Sequence, residues 1–201
     1  MILVVAFIAF GCAGPINQKT ASNYEQLAQQ AKAAGNLALA EEYYSRALWN
    51  ADMGNASLSD RSRLTYNLGR VKGLRCDYAG AEALLSQALQ LEEGASGPDS
   101  GLTSMRLFEL ARLNAAWGRP DEARLYYARA VPIVGNLDIE TSDPIGFADV
   151  LDDYAAVLEA SGDTEAAATT RQDAERLRRA HPQMRAGFVK EPYNSHCEPP
   201  Q

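Results

Sequence analysis

The chain has 201 residues and a mass of 21.8 kDa, with 19 Lys and Arg against 26 Asp and Glu, a net charge of −7 and a pI near 4.9. That balance excludes the net basic footprint of a nucleic-acid binder. Two His and three Cys exclude a His- and Cys-rich metal scaffold. Ala (34) and Leu (22) dominate, while only ten Val and Ile follow residue 11. Ala and Leu favour helix and β-branched residues favour strand, so the composition predicts an all-α protein.

In chain order, the first feature is the apolar run Met1–Phe10, followed by Gly11-Cys12-Ala13-Gly14. Ten helical residues rise only about 15 Å, half the thickness of a bilayer core. The run therefore reads as the apolar region of a secretory signal. With Ala9-Phe10-Gly11-Cys12 it resembles a bacterial lipoprotein signal, although Ala9 and Phe10 depart from the usual Leu and small residue and no basic segment precedes the run. The resemblance implies a signal peptide over 1–11, cleavage before Cys12 and lipidation (palmitate included) of that Cys. A tether would then cover 12–21. It further implies attachment to a membrane through the lipid, and Ala13 after the Cys implies the periplasmic side of the outer membrane. Two or more acyl chains suffice for stable anchoring. The mean hydropathy of −0.29 suits a folded part that stays in water.

A repeat follows. The pattern small–x4–Ala–x3–Tyr/Leu–x2–Ala occurs as Gly35, Ala40, Tyr44, Ala47, then as Cys76, Ala81, Leu85, Ala88, then as Gly118, Ala123, Tyr127, Ala130. A weaker copy reads Gly162, Ala167, Arg171, Ala174, and successive copies are offset by 41, 42 and 44 residues. In the same frame lie Leu27-Ala28, Leu68-Gly69, Leu110-Ala111 and Tyr154-Ala155, each a large residue beside a small one. Large side chains fill the space between helices and small ones let backbones approach. Each unit thus reads as two antiparallel helices, A and B, with the turn residue at the C-terminus of A, where glycine is favoured. These residues resemble the tetratricopeptide repeat, in a long-period form similar to the repeats of kinesin light chains. HEAT and armadillo repeats share the period but lack this spacing. The resemblance implies a right-handed α-solenoid of about four helix-turn-helix repeats over 22–180, at about 22–52, 60–93, 102–135 and 144–180.

Proline placement fits this map. Pro98 falls between repeats, and Pro120 and Pro144 stand where helices begin. Pro132 is the exception and predicts a truncated or kinked third B helix. Interrepeat loops are expected near 52–59, 94–101 and 135–143. Arg171, Glu175, Arg176, Arg178 and Arg179 give the last helix the polar outer face that a terminal repeat needs. Residues 181–201 are rich in Pro and polar residues, lack periodicity and predict a disordered tail.

In tetratricopeptide arrays the A helices line a concave groove. Carried onto this chain, the groove positions fall on Arg63, Tyr66, Asn67, Arg70 and Leu74 in repeat two and on Met105, Phe108, Arg112 and Ala115 in repeat three. Repeat one contributes Glu25, Gln29 and Lys32, and repeat four Asp149, Asp152, Asp153 and Glu159. The protein-binding groove is therefore expected at Arg63, Tyr66, Asn67, Arg70, Met105, Phe108 and Arg112. Its three guanidiniums match carboxylates and its aromatics offer rigid apolar area, which suits an acidic, extended peptide segment of a protein partner. The far end reads as acidic. A carboxylate-clamp pattern is not reproduced at Arg63, Tyr66 and Glu109.

Catalysis finds no support. His181 and His196 lie at or beyond the end of the array, and Asp152-Asp153 and Glu41-Glu42 are helix neighbours that do not face each other. No cofactor, metal site or nucleic-acid partner is expected. Cys76 replaces the turn Gly and Cys197 lies in the tail. A disulfide would close a long loop, whereas the blander reading, and the favoured one, is a half-buried Cys76 and a free tail thiol. The sequence thus reads as a non-catalytic adaptor lipoprotein aiding a cell-envelope machine such as a pilus, secretion or peptidoglycan complex. A self-associating scaffold and an accessory subunit of an envelope enzyme complex are the alternatives.

Overall fold

The computed structural model describes residues 13–137, 142–187, 191–193 and 197. Among these described residues eight helices follow one another: α1 (Ala13–Ala33), α2 (Leu37–Met53), α3 (Leu58–Leu74), α4 (Tyr78–Ser96), α5 (Gly101–Ala116), α6 (Pro120–Gly135), α7 (Pro144–Ala160) and α8 (Thr164–Ala180). There is no strand among the described residues. Each odd-numbered helix packs first on its even-numbered partner, and α2 on α3, α4 on α5 and α6 on α7 link the four hairpins into a solenoid. No helix of the described residues is long and apolar enough to cross a membrane.

The repeat frame explains this packing. Ala40, Ala47, Ala81, Ala88, Ala123, Ala130 and Ala174 are fully buried, and Tyr44, Leu85 and Tyr127 fill the spaces between them. Gly69 shows why a small residue is needed: a Cβ there would meet Leu85 Cγ at 2.9 Å and Ala81 O at 3.3 Å. At each hairpin the turn residue has positive φ: Gly35 at 76°, Cys76 at 67°, Gly118 at 77° and Gly162 at 86°. The same pair of backbone hydrogen bonds closes each turn, for example Gly35 N–H to Lys32 O and Asn36 N–H to Ala31 O. This is the Schellman arrangement, which ends a helix by satisfying its last carbonyls. The next residue caps the following helix. Asn36, Asp77 and Asp163 accept a backbone N–H three residues on, and Pro120 takes the first helical position after Arg119.

Several expectations are corrected. The segment expected as a tether is helical from Ala13, with Gln18 Nε2 donating to Gly54 O at 2.8 Å and Ala21 buried. Cys12, the proposed lipid attachment, lies with the rest of residues 1–12 outside the described residues. Leu27 is 40% exposed although its counterparts Leu68 and Leu110 are buried. Pro132 does not end α6, which continues to Gly135. Its missing N–H falls in the last turn, where one lost hydrogen bond is tolerated. Arg171 on α8 is exposed, as the capping role requires, and pairs with Glu159.

The tail is also corrected. Its described residues are not free of the array. Tyr193 is 3% exposed and joins the core cluster that includes Tyr66, Leu74, Leu107 and Leu113. Cys197 is bonded to Cys76 in a disulfide with a Cα–Cα distance of 5.6 Å, so the favoured reading of two free thiols does not hold. Composition misses both features because a segment without its own periodicity can still dock on a surface formed elsewhere.

Candidate functional site

The face built by α1, α3, α5 and α7 carries three adjoining clefts. One of about 460 Å3 is bordered by Gln29, Lys32, Asn67, Arg70 and Glu191. A second of about 480 Å3 lies between Tyr66, Met105, Phe108, Val134, Phe147 and Val150. A third of about 700 Å3 runs past Arg112, Ala115, Tyr127 and Ala160 to Pro192 and Tyr193. Arg70 borders the first two, and Arg112 the last two.

Glu109 is the centre of this face. It comes from α5, is 4% exposed and accepts four donors. Tyr66 OH lies 3.1 Å from Oε2 and Arg112 Nη1 3.4 Å from the same oxygen. Arg70 Nε lies 3.2 Å from Oε1, which also accepts the hydroxyl of Tyr193. Burial alone would raise the Glu109 carboxyl, but Arg70 and Arg112, with the two phenols donating, hold it below the usual carboxylate range. Burial and the neighbouring carboxylate push the Tyr193 and Tyr66 phenols up, so both stay protonated donors. Burial opposes the Arg70 charge, yet Glu109 and its neighbours hold that guanidinium above its ordinary value.

The tail adds further contacts through Glu191 and Gly187. Glu191 places its carboxylate 2.5 Å from Lys32 Nζ and 3.7 Å from Arg70 Nη2. Its backbone carbonyl accepts Arg112 Nη2 at 3.0 Å. Farther back along the tail, Gly187 N–H meets the Asp143 carboxylate at 3.2 Å, beside the start of α7.

The predicted residues divide into groups. Tyr66, Arg70 and Arg112 converge on Glu109. Met105 (49% exposed) and Phe108 line the apolar cleft, and Phe108 packs on Tyr127 at 6.0 Å between ring centroids. Asn67 borders the cleft at Lys32. Arg63 is apart from these, paired with Glu25 and, at 3.1 Å, with Asp60. The expectation of an uncompensated basic floor is therefore corrected: each of the three Arg faces a carboxylate, supplied by α1, α3, α5 or the tail. The acidic far end is corrected too, since Arg178 of α8 lies 2.8 Å from Asp149 and 2.5 Å from Asp152.

Sequence reasoning missed Glu109, Glu191 and Tyr193 as site residues. For Glu109 a signal was present: it stands directly before Leu110-Ala111, as Asn67 stands before Leu68-Gly69. It also missed Arg106, which is buried under Tyr66 with its guanidinium carbon 4.2 Å from the ring centroid. Arg106 bonds to Glu92 at 3.0 Å and to Ser62 Oγ at 3.1 Å, holding α3, α4 and α5 together beneath the site.

Comparison with known proteins agrees with this architecture. Residues 60–134 match the family model of the tetratricopeptide repeat. No curated protein matches the chain. Among solved structures, BtubC (BKLC) from P. vanneervenii is similar at 23% identity and a TM-score of 0.77, covering 85% of this chain and 68% of that one. A Podosopora anserina putative kinesin light chain with nearly identical TPR-like repeats is similar at 16% identity and a TM-score of 0.68, covering 88% and 82%. MamA is similar at 15% identity and a TM-score of 0.62, covering 82% and 81%. At these identities the likeness concerns the fold. With the repeat frame, residues 60–134 match the tetratricopeptide repeat, and the fold of the chain is similar to that of solenoids with long repeats like those of kinesin light chains.

Proposed function

We propose that this chain is a non-catalytic adaptor that binds an acidic, extended segment of a protein partner along the face of α1, α3, α5 and α7. The observation that carries this reading is the apolar cleft of about 480 Å3 walled by Met105 and Phe108, with Arg70 and Arg112 sharing the single carboxylate of Glu109 at its border. Aromatic and aliphatic walls supply contact area, while the guanidiniums orient carboxylates. The test is a photo-crosslinking side chain placed at Met105 or, as control, at Leu125, which is 66% exposed on α6. A partner captured through Met105 and not through Leu125 supports the reading. Capture through Leu125 alone, or equally from both sites, refutes it.

The attachment proposed for the adaptor is a lipid on Cys12, at the periplasmic side of a bacterial outer membrane, where it would serve a pilus, secretion or peptidoglycan complex. Fractionation of Cys12→Ala tests this. Retention in the membrane with unchanged mobility refutes the lipid anchor. A second reading, self-association, is favoured by Trp49 (62% exposed) and Met53 (54% exposed), four residues apart on α2. Sedimentation of Trp49→Glu distinguishes it: a loss of dimer on substitution supports that reading, and a monomeric wild type removes it.

A further inference from the structure

We propose that the seat around Glu109 receives a tyrosine carried two residues after a glutamate. In this proposal the chain's own Glu191-Pro192-Tyr193 fills the seat in cis, and the Cys76–Cys197 disulfide latches it there until a dithiol reductant opens the seat to the same motif in a partner. The proposal deepens the adaptor reading and rests on it.

Three contacts define the motif. The Glu191 carboxylate meets Lys32 and Arg70, its carbonyl accepts Arg112, and the Tyr193 hydroxyl donates to Glu109. Arg70 and Arg112 share Glu109 while Lys32 pairs with the tail's Glu191, so the seat sets three cations against one carboxylate of the array and favours an acidic segment. The ring has a shaped place as well. A Cβ on Gly73 would fall inside contact distance of Tyr193 Cε1 and lie 2.8 Å from Cδ1. The residues in the same frame are Lys32, Ala115 and Glu159, so the missing side chain belongs to the repeat that receives the tyrosine.

The latch stands next to this seat. Cys76 follows Gly73 by three residues, is exposed, and takes the positive φ that its counterparts Gly35, Gly118 and Gly162 adopt without strain. Exposure makes the bond open to exchange. A thiolate of the external dithiol attacks Cys76 Sγ, forming a mixed disulfide and releasing Cys197 as a thiolate. The second thiol of the reagent then attacks that mixed disulfide, frees Cys76 and leaves as a cyclic disulfide. Two electrons and two protons pass to the cysteine pair. The seat's cis occupant then loses its covalent hold, and its effective concentration, about millimolar for a short tether, falls.

The test uses the purified full chain and a fluorescein-labelled peptide of residues 190–195, Lys-Glu-Pro-Tyr-Asn-Ser, with an alanine-for-tyrosine control peptide. Fluorescence polarisation is read for the oxidised chain, the dithiol-reduced chain and the oxidised Glu191→Ala/Tyr193→Ala variant. The peptide should bind the variant, whose cis occupant is deleted, and the reduced chain, whose occupant keeps only its backbone tether, at least about tenfold more tightly than the oxidised chain. The control peptide should lose that binding. Equal binding to oxidised and reduced chains, or equal binding of both peptides, overturns the proposal. Should the variant fail to fold, the dithiol titration of the unaltered chain decides alone. Absence of peptide binding in every form, with crosslinking at Met105 preserved, ends this inference and leaves the adaptor reading standing.

Discussion

Gly73→Ala isolates the docking of the tail from the stability of the array. Within a helix Ala is favoured over Gly by up to about 1 kcal/mol, and Gly73 is the buried penultimate residue of α3. At Gly73 the added Cβ would lie 2.8 Å from Tyr193 Cδ1 and closer still to Cε1, whereas its other near neighbour, Leu113 Cδ1 at 3.0 Å, is the end of a flexible side chain. The substitution therefore expels Tyr193 and leaves the helices in place. Burial of an aromatic side chain is worth about 1.5–3 kcal/mol, and the phenol's bond to a carboxylate adds to it. Set against the helix gain, Gly73→Ala should destabilise the disulfide-bonded chain by about 1–2 kcal/mol. In a Tyr193→Ala background the same substitution should be neutral or stabilising by up to about 1 kcal/mol. Urea unfolding of the four proteins of this cycle, followed by far-ultraviolet circular dichroism, measures the coupling, expected at about 1–3 kcal/mol. The same sign and size of effect in both backgrounds would refute the role assigned to Gly73.

Non-reducing peptide mapping should recover a Cys76–Cys197 peptide, and reduction should lower stability by at most the roughly 4–5 kcal/mol that chain entropy assigns to so long a loop. Under reducing conditions Cys76→Gly should be more stable than Cys76→Ser by about 1 kcal/mol, because only glycine occupies a φ of 67° without strain; equal midpoints would contradict this. Because the folded Glu109 carboxyl titrates below its unfolded value of about 4.3, its contribution is complete above that pH and is lost as pH falls through the folded value. Glu109→Gln should accordingly flatten the loss of stability on acidification below about pH 5 while lowering stability at pH 7, and an unchanged acid limb would exclude Glu109 as its source. Arg106→Met strands the fully buried Glu92 and should cost about 3–5 kcal/mol, most of it recovered in Arg106→Met/Glu92→Met, as read by urea midpoints.

The repeat frame was legible because it records backbone contacts. Ala81, Ala88, Ala123 and Ala130 are small for reasons local to each hairpin, and any sequence that lost them would separate the helices. The turn glycines were legible for the same reason, since their φ is set by the hairpin itself. Charge was read less well. The helix frame placed Arg63, Arg70 and Arg112 on one face but could not show which carboxylates meet them. Glu25 comes from another helix, Glu109 looks like an ordinary helix-surface residue, and Glu191 is 79 residues from Arg112. Nothing in the sequence pairs Arg106 with Glu92, and it is their mutual contact that makes burial of both charges tolerable. The tail was least legible, since a segment that borrows its order from a distant surface leaves no periodicity of its own.

Two departures from the frame lie in the second repeat, and both could have been read together. Cys76 stands where the other copies have Gly, and Gly73 stands where they have Lys32, Ala115 and Glu159. Each is locally unfavourable, by about 1–2 kcal/mol for a side chain at left-handed φ and about 1 kcal/mol for Gly within a helix. Within the array Gly73 relieves only a close approach to the flexible end of Leu113, and the turn at Cys76 favours Gly. The tail supplies the reason, because Cys76 holds Cys197 and Gly73 admits the ring of Tyr193. Local rules broken without a local gain mark the places where a fold serves something beyond its own stability. Here they mark the segment that lies on the face where a partner would bind, and they place its covalent hold at Cys76 three residues from Gly73, where its aromatic anchor sits.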